Sequence, residues 1–113
     1  MDNKDIIGIV GAVLIGRAWT CVFARAGHQV QLWDPDPALR AQMPELLRAM
    51  LLEAGNDPEA AARVTTCDSM EQALYGVALV QESGPEVLEI KRELFARMDA
   101  AAAPGVILAS SSS

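Results

Sequence analysis

The stretch from Ile6 to Asp34, IIGIVGAVLIGRAWTCVFARAGHQVQLWD, constrains this chain more than any other. Ile6 to Val10 is a nearly continuous apolar run, as expected of a strand covered on both faces. Gly11 and Gly16 bracket a tight turn into a helix. In that helix Ile15, Ala18, Trp19, Val22, Phe23 and Ala26 fall at helical spacing and form one apolar face, which the pattern assigns to the core. Gly27 closes the helix, Val30 to Trp33 is a second strand, and Asp34 stands at its end. An acid about 20 residues beyond the first glycine of such a turn is the opening of a dinucleotide-binding unit. The turn and the helix N-terminus receive the pyrophosphate, and the carboxylate accepts the adenosine ribose hydroxyls.

One position departs from the glycine fingerprint. The turn reads Gly11-Ala12-Val13-Leu14-Ile15-Gly16, with Val13 where the middle glycine normally lets backbone approach phosphate. A β-branched residue is strained wherever such a turn requires positive φ. The same pattern without a nucleotide would be a doubly wound domain with a tight βα turn.

The remainder of the chain continues the alternation. Pro37 starts a helix whose stripe is Leu39, Met43, Leu46, Leu47, Met50 and Leu51, and Gly55 ends it. Asn56-Asp57-Pro58 caps a short turn running through Arg63. Val64-Thr65-Thr66 is a brief strand. Asp68 to Glu71 resembles a capping box for a helix ending at Tyr75. Val77 to Gln81 is the next strand, followed by Glu82-Ser83-Gly84-Pro85-Glu86. A helix begins near Pro85 and reaches about Ala102, with Val87, Ile90, Leu94, Met98 and Ala101 inward. Val106 to Ala109 is a fifth strand, and four serines follow. Right-handed crossovers then give an α/β, doubly wound, three-layered parallel sheet of order 3-2-1-4-5, with the crevice between strands 1 and 4.

Composition narrows the function classes. An apolar content of 51% against 21% charge implies a packed core in one domain, residues 1–113. A net charge of −6 argues against nucleic-acid binding. No apolar run approaches the roughly 20 residues that span a membrane, and MDNKD lacks a signal-peptide core. Cys21 and Cys67 have no metal-ligand spacing, so no metal is expected, and reduced thiols point to the cytoplasm. Cys21 reads as a packing residue. His28, the lone histidine, reads as a solvent-facing turn residue rather than a general base.

Three segments carry a family resemblance: IGIVGAVLIGRAWTCVFARAGHQVQLWDPD, LVQESGPEVLEIKRELFARMD and VILASSSS. Together they resemble the N-terminal NAD-binding domain of the 3-hydroxyacyl-CoA dehydrogenase family, in its L-gulonate 3-dehydrogenase and lambda-crystallin branch. The resemblance implies an NAD cofactor and hydride transfer with a small 3-hydroxy acid or 3-hydroxyacyl-CoA, chemistry found in fatty acid metabolism. It makes Gly11 to Gly16 (Ala12, Val13, Leu14 and Ile15 included) the phosphate turn and Asp34 the ribose ligand. Glu86 and Lys91 would lie by the nicotinamide half, with Glu86 also the orienting partner of a catalytic histidine. Ser113 would contact substrate and cofactor. Val13 and Gly84 depart from the family pattern, Gly84 replacing an apolar residue and loosening the helix start. The family's His-Pro segment and its helical C-terminal domain are absent from these 113 residues. The resemblance therefore implies a domain inactive in isolation and prone to self-association. The alternative is a non-catalytic Rossmann-like module that binds dinucleotide weakly or not at all because of Val13.

Overall fold

The computed structural model describes residues 5–84 and 88–110. Five strands form one parallel sheet: β1 (Ile7–Val10), β2 (Val30–Trp33), β3 (Val64–Thr66), β4 (Leu79–Glu82) and β5 (Ile107–Ser110). Their spatial order is β3-β2-β1-β4-β5, as the crossover rule requires of this sequence of elements. The helices are α1 (Leu14–Arg25), α2 (Pro37–Glu53), α3 (Met70–Leu74) and α4 (Leu88–Ala101), with a 3-10 helix at Pro58–Arg63.

Register places the site. Val10 is level with Trp33 on one side and with Glu82 on the other, and Glu82 is level with Ser110. The four strands thus end in one row, and Gly11, Asp34 and Ser83 leave the sheet along a single edge. Alternation within β1 splits the core into two layers. Ile7 and Ile9 pack with Leu32, Met43, Leu47 and Leu51 on the α1–α2 face. Val10 packs with Trp33, Met70, Leu74, Val80 and Met98 on the α3–α4 face.

Local chemistry explains the element boundaries. Asp36 caps α2 by accepting from the Ala38 N–H at 3.0 Å, and Pro37 follows at the first helical position. Asp57 does the same for the 3-10 helix through the Glu59 N–H at 2.9 Å. For α3 the cap is Ser69, paired with Gln72, one position later than the expected Asp68 and Glu71. At the C-terminal end of α3, Gln31 Nε2 lies 3.0 Å from the carbonyls of Gln72, Ala73 and Tyr75, tying that helix to β2.

Three expectations are corrected. The large apolar face of α1 does not pack on the sheet. The buried residues of α1 are Gly16, Thr20 and Ala24, whereas Ile15 and Val22 are 55% and 39% exposed and Trp19 is 38% exposed. Only small side chains let α1 lie this close to the glycine turn, so most of the bulky stripe faces outward, while half-buried Phe23 packs at the margin of the core and stacks on Trp19 at 5.8 Å between centroids. Ile90 is likewise no core residue. It is exposed and lines a cleft, while Met98 is buried and Leu94, Phe95 and Ala101 pack beside it. His28, finally, is buried. Its Nδ1 sits 2.8 Å from the Asp5 carbonyl oxygen and its ring meets the edge of Phe23. A polar ring with a backbone partner can be buried without penalty, and here it ties the start of β2 to the start of β1. That is the sheet edge opposite the glycine turn.

Candidate functional site

The site begins with a close approach. Gly11 has φ +108°, and a Cβ there would come within 2.9 Å of the Ser83 carbonyl. A Cβ on Gly16 would meet the Gly11 carbonyl oxygen at 1.8 Å. Both glycines are therefore required by contact: Gly11 against the end of β4, and Gly16 against Gly11 itself. The result is a turn pressed between β1 and β4, with the N-terminus of α1 opening above it. N–H groups in a helix's first turn have no partner within the helix, and the helix dipole makes that end positive, which suits a phosphate.

Val13 does not behave as a strained residue. It caps α1 with φ −78° and ψ −174°, an extended conformation open to any side chain, and no non-glycine residue described has positive φ. The expected strain is absent because the turn takes its left-handed step at Gly11. The valine side chain instead projects into the cleft mouth, 53% exposed, and it supplies no side-chain cap. Leu14 and Ile15 are exposed beside it, and Ala12 is buried.

Asp34 is 7% exposed and fully engaged with backbone. Its Oδ2 accepts from the Ala12 N–H at 2.8 Å, and its Oδ1 accepts from the Asp36 N–H at 2.8 Å. The carboxylate thus staples the glycine turn to the end of β2. Two of its four lone-pair positions remain for a ligand. Arg40 donates to the Asp34 carbonyl oxygen at 2.8 Å, which turns its guanidinium toward the same corner.

A cleft of 700 Å³ opens here. Gly11, Val13, Asp34 and Leu39 border one side, and Ile90 and Arg97 of α4 border the other. Its volume falls in the range of small-molecule sites. Arg97 lies 5.6 Å from the centroid of the Trp33 ring, a cation–π contact at the cleft wall.

Sequence reasoning missed one residue. Glu82, the last residue of β4, is completely buried. Lys91 Nζ donates to its Oε1 at 2.7 Å and Oε2 at 2.6 Å, the Ser110 hydroxyl donates to Oε1 at 2.7 Å, and the Gly84 N–H donates to Oε2. Burial by itself raises the Glu82 pKa, but hydrogen bonds from Lys91, Ser110 and Gly84, with the Lys91 charge, outweigh it and hold the carboxyl below its ordinary range. The available signal was an acid at the C-terminal end of a buried strand beside the crevice. Lys91, expected at the nicotinamide half, is found on Glu82. Glu86 and Ser113 lie outside the described residues. Among the described residues no group of three or more His, Cys, Asp or Glu could hold a metal, and no helix is long and apolar enough to cross a membrane.

A parallel sheet of this order, a glycine turn at its switch point, and an acid at the end of β2 define a dinucleotide-binding Rossmann domain. Residues 6–113 match the NAD binding domain of 3-hydroxyacyl-CoA dehydrogenase, and the chain belongs to that family of NAD-dependent dehydrogenases as its NAD-binding domain. It is 42% identical to an L-carnitine dehydrogenase of Streptomyces coelicolor over 99% of this chain and 36% of that protein. It is 40% identical to a lambda-crystallin homolog of Bos taurus over 95% of this chain and 36% of the other. Among solved structures, 3-hydroxybutyryl-CoA dehydrogenase from Escherichia coli superposes with a TM-score of 0.85 at 23% identity, covering 100% of this chain and 25% of that one, which shows the fold. An NAD+-dependent dismutase, 5-formyl-3-hydroxy-2-methylpyridine 4-carboxylic acid 5-dehydrogenase, superposes at 0.82 with 30% identity, covering 97% of this chain and 37% of that one. The chain spans about a third of the length of the relatives it matches.

The residues present fit NAD. The Gly11 turn brings backbone close without side chains, α1 presents its N-terminus, and the cleft lies alongside Asp34. Two features weaken the fit: the Val13 side chain and the commitment of the Ala12 N–H to Asp34.

Proposed function

We propose that the 113-residue chain binds NAD in the Gly11–Asp34 cleft and, alone, does not turn over substrate. The adenosine ribose lies against Asp34, and the pyrophosphate faces the N–H groups of the first turn of α1. The nicotinamide half then extends toward the β4–β5 edge, where Lys91 lies; the family resemblance assigns Glu86 and Ser113 to that same half. The observation that carries this reading is the contact of Gly11 with Ser83, which puts the turn, Asp34 and the end of β4 around one cleft.

NAD, when bound, supplies hydride acceptance. This chain's residues supply position: Asp34 fixes the turn and the ribose, and α1 offers its positive end. In the whole protein the substrate is a 3-hydroxy compound, and a free 3-hydroxy acid suits the resemblance to L-carnitine dehydrogenases better than a CoA thioester. Glu86 would orient a histidine that these 113 residues do not contain. Measurable NAD reduction by the isolated chain with 3-hydroxybutyryl-CoA, L-carnitine or L-gulonate would contradict this division of labour. Without a positioned base about 10²–10⁴ of rate is lost, and without substrate orientation more.

Asp34 also sets the cofactor choice. Its carboxylate repels a 2′-phosphate, so NADH should bind more tightly than NADPH. The test is titration with both, on the wild type and on Asp34→Ala. Equal affinities in the wild type would remove Asp34 from the ribose site. A second reading, a non-catalytic module with weak dinucleotide binding, draws on the Val13 side chain at the cleft mouth.

A further inference from the structure

We propose that Glu82 is a positioning residue for the nicotinamide-ribose half of the dinucleotide, holding the Lys91 ammonium and the Ser110 hydroxyl together at the β4–β5 edge. The inference rests on the cofactor reading above and goes beyond it, because Glu82 itself touches neither solvent nor the cleft surface.

A carboxylate with no exposure loses its hydration, and a buried ion pair is often no more stabilising than an apolar pair of the same size. The strand end could have been closed with a leucine and a methionine. Instead it carries one carboxylate with four donors on two oxygens: two from Lys91, one from Ser110 and one from Gly84. These donors come from three separate elements, namely α4, β5 and the segment that leaves β4. The cluster therefore fixes α4 and β5 relative to the Gly11 turn, which sits against Ser83, the residue next to Glu82.

The adenosine side of the cleft is on the β2 side of the Gly11 turn, at Asp34. A dinucleotide crossing the switch point must place its other half on the β4–β5 side. Glu82, Lys91 and Ser110 are polar side chains that the structure gathers there. An ammonium has three N–H donors, and Glu82 accepts two, so among the described residues the third is left for a ligand oxygen. With its charge paired to Glu82, Lys91 offers a directed donor rather than a mobile cation. Gly84 makes the arrangement possible: a Cβ there would stand 2.8 Å from Glu82 Oε2.

The test compares NADH with ADP, which keeps the adenosine and both phosphates but lacks the second ribose and the nicotinamide. Both are titrated calorimetrically into the wild-type chain, Glu82→Gln, and the double variant Glu82→Gln/Lys91→Met. The double variant leaves no unpaired charge in the interior and protects the test against simple unfolding. Wild type should bind NADH more tightly than ADP. Both variants should lose NADH affinity by about tenfold or more, the size of one charge-assisted hydrogen bond, with ADP affinity unchanged. A variant that keeps the wild-type preference for NADH would overturn the inference while leaving the cofactor reading intact. So would an equal loss of both ligands in a folded double variant, which would make Glu82 a structural brace. Failure of the wild type to bind either ligand would remove the cofactor reading, and this inference with it.

Discussion

The two halves of the sheet are held in different ways. On the β2 side, β1, β2, α1, α2 and the 3-10 helix enclose an apolar layer in which Met43, Leu47 and Leu51 are fully buried. On the β4 side, α4 contributes Met98 as its one buried residue among those described, and Ile107 of the edge strand β5 is 62% exposed. The end of that half is fastened by polar contacts to Glu82 instead. The half that would receive adenosine is thus closed chiefly by hydrophobic burial, and the half that would receive nicotinamide by an apolar layer around Val80 and Met98 together with a charged cluster at its strand ends. Burial is indifferent to pH and to a ligand. A charged cluster is sensitive to both, and it lies where a reaction would need oriented groups.

The largest expected effect comes from breaking the apolar half. Leu47→Ala should cost about 2–5 kcal/mol, read as a lowered denaturant midpoint with an unchanged slope. The matching change in the other half, Leu108→Ala on partly buried β5, should cost less than half of that. Equal costs would mean that the two halves are packed alike. Next in size is Glu82→Gln, which leaves Lys91 without its anion. Removing one partner of a buried pair costs about 3–5 kcal/mol, here reduced because the Lys91 side chain is 12% exposed and can turn outward.

The same cluster predicts a pH signature. The Glu82 carboxyl is held below its ordinary range, so its contribution to stability is complete above the unfolded-state value, about 4.3, and is lost as pH falls through the folded-state value. Melting temperatures of the wild type between pH 7 and pH 3 should therefore fall more steeply below about pH 4.3 than those of the Glu82→Gln/Lys91→Met variant. Parallel curves would separate Glu82 from the acid sensitivity of the fold. A smaller effect still is expected for Val13→Gly. At φ −78° the valine is unstrained, so glycine should lower stability by up to about 1 kcal/mol through the unfolded chain's freedom.

The difference between the halves also explains what the sequence disclosed. Strand order, the glycine turn and the Asp34 position follow from local chemistry along a contiguous stretch, and all are legible there. The buried face of α1 is not legible in the sequence because periodicity identifies an apolar stripe but not the body it meets. Here Gly16, Thr20 and Ala24 win the sheet by size. His28 was misplaced because its partner, the Asp5 carbonyl, lies on another strand's approach. Glu82 passed unnoticed because its meaning depends on Lys91 and Ser110, which are brought to it only by the fold. Polar residues joined across elements leave no periodic trace. Val13 was recognised as a departure, but its backbone conformation depends on where the turn places its left-handed step, and Gly11 takes that step.

The most direct test of the central claim, that the cleft between Gly11 and Asp34 holds NAD, is a calorimetric NADH titration of the wild-type chain beside Val13→Gly. Val13 caps α1 and lines the cleft, so removing its side chain should let a charged ligand come closer to helix N–H groups worth ~1.5–3 kcal/mol each. The account predicts saturable binding of NADH to both proteins, with Val13→Gly tighter by more than about tenfold. No binding by either, or equal affinity in both, would contradict it.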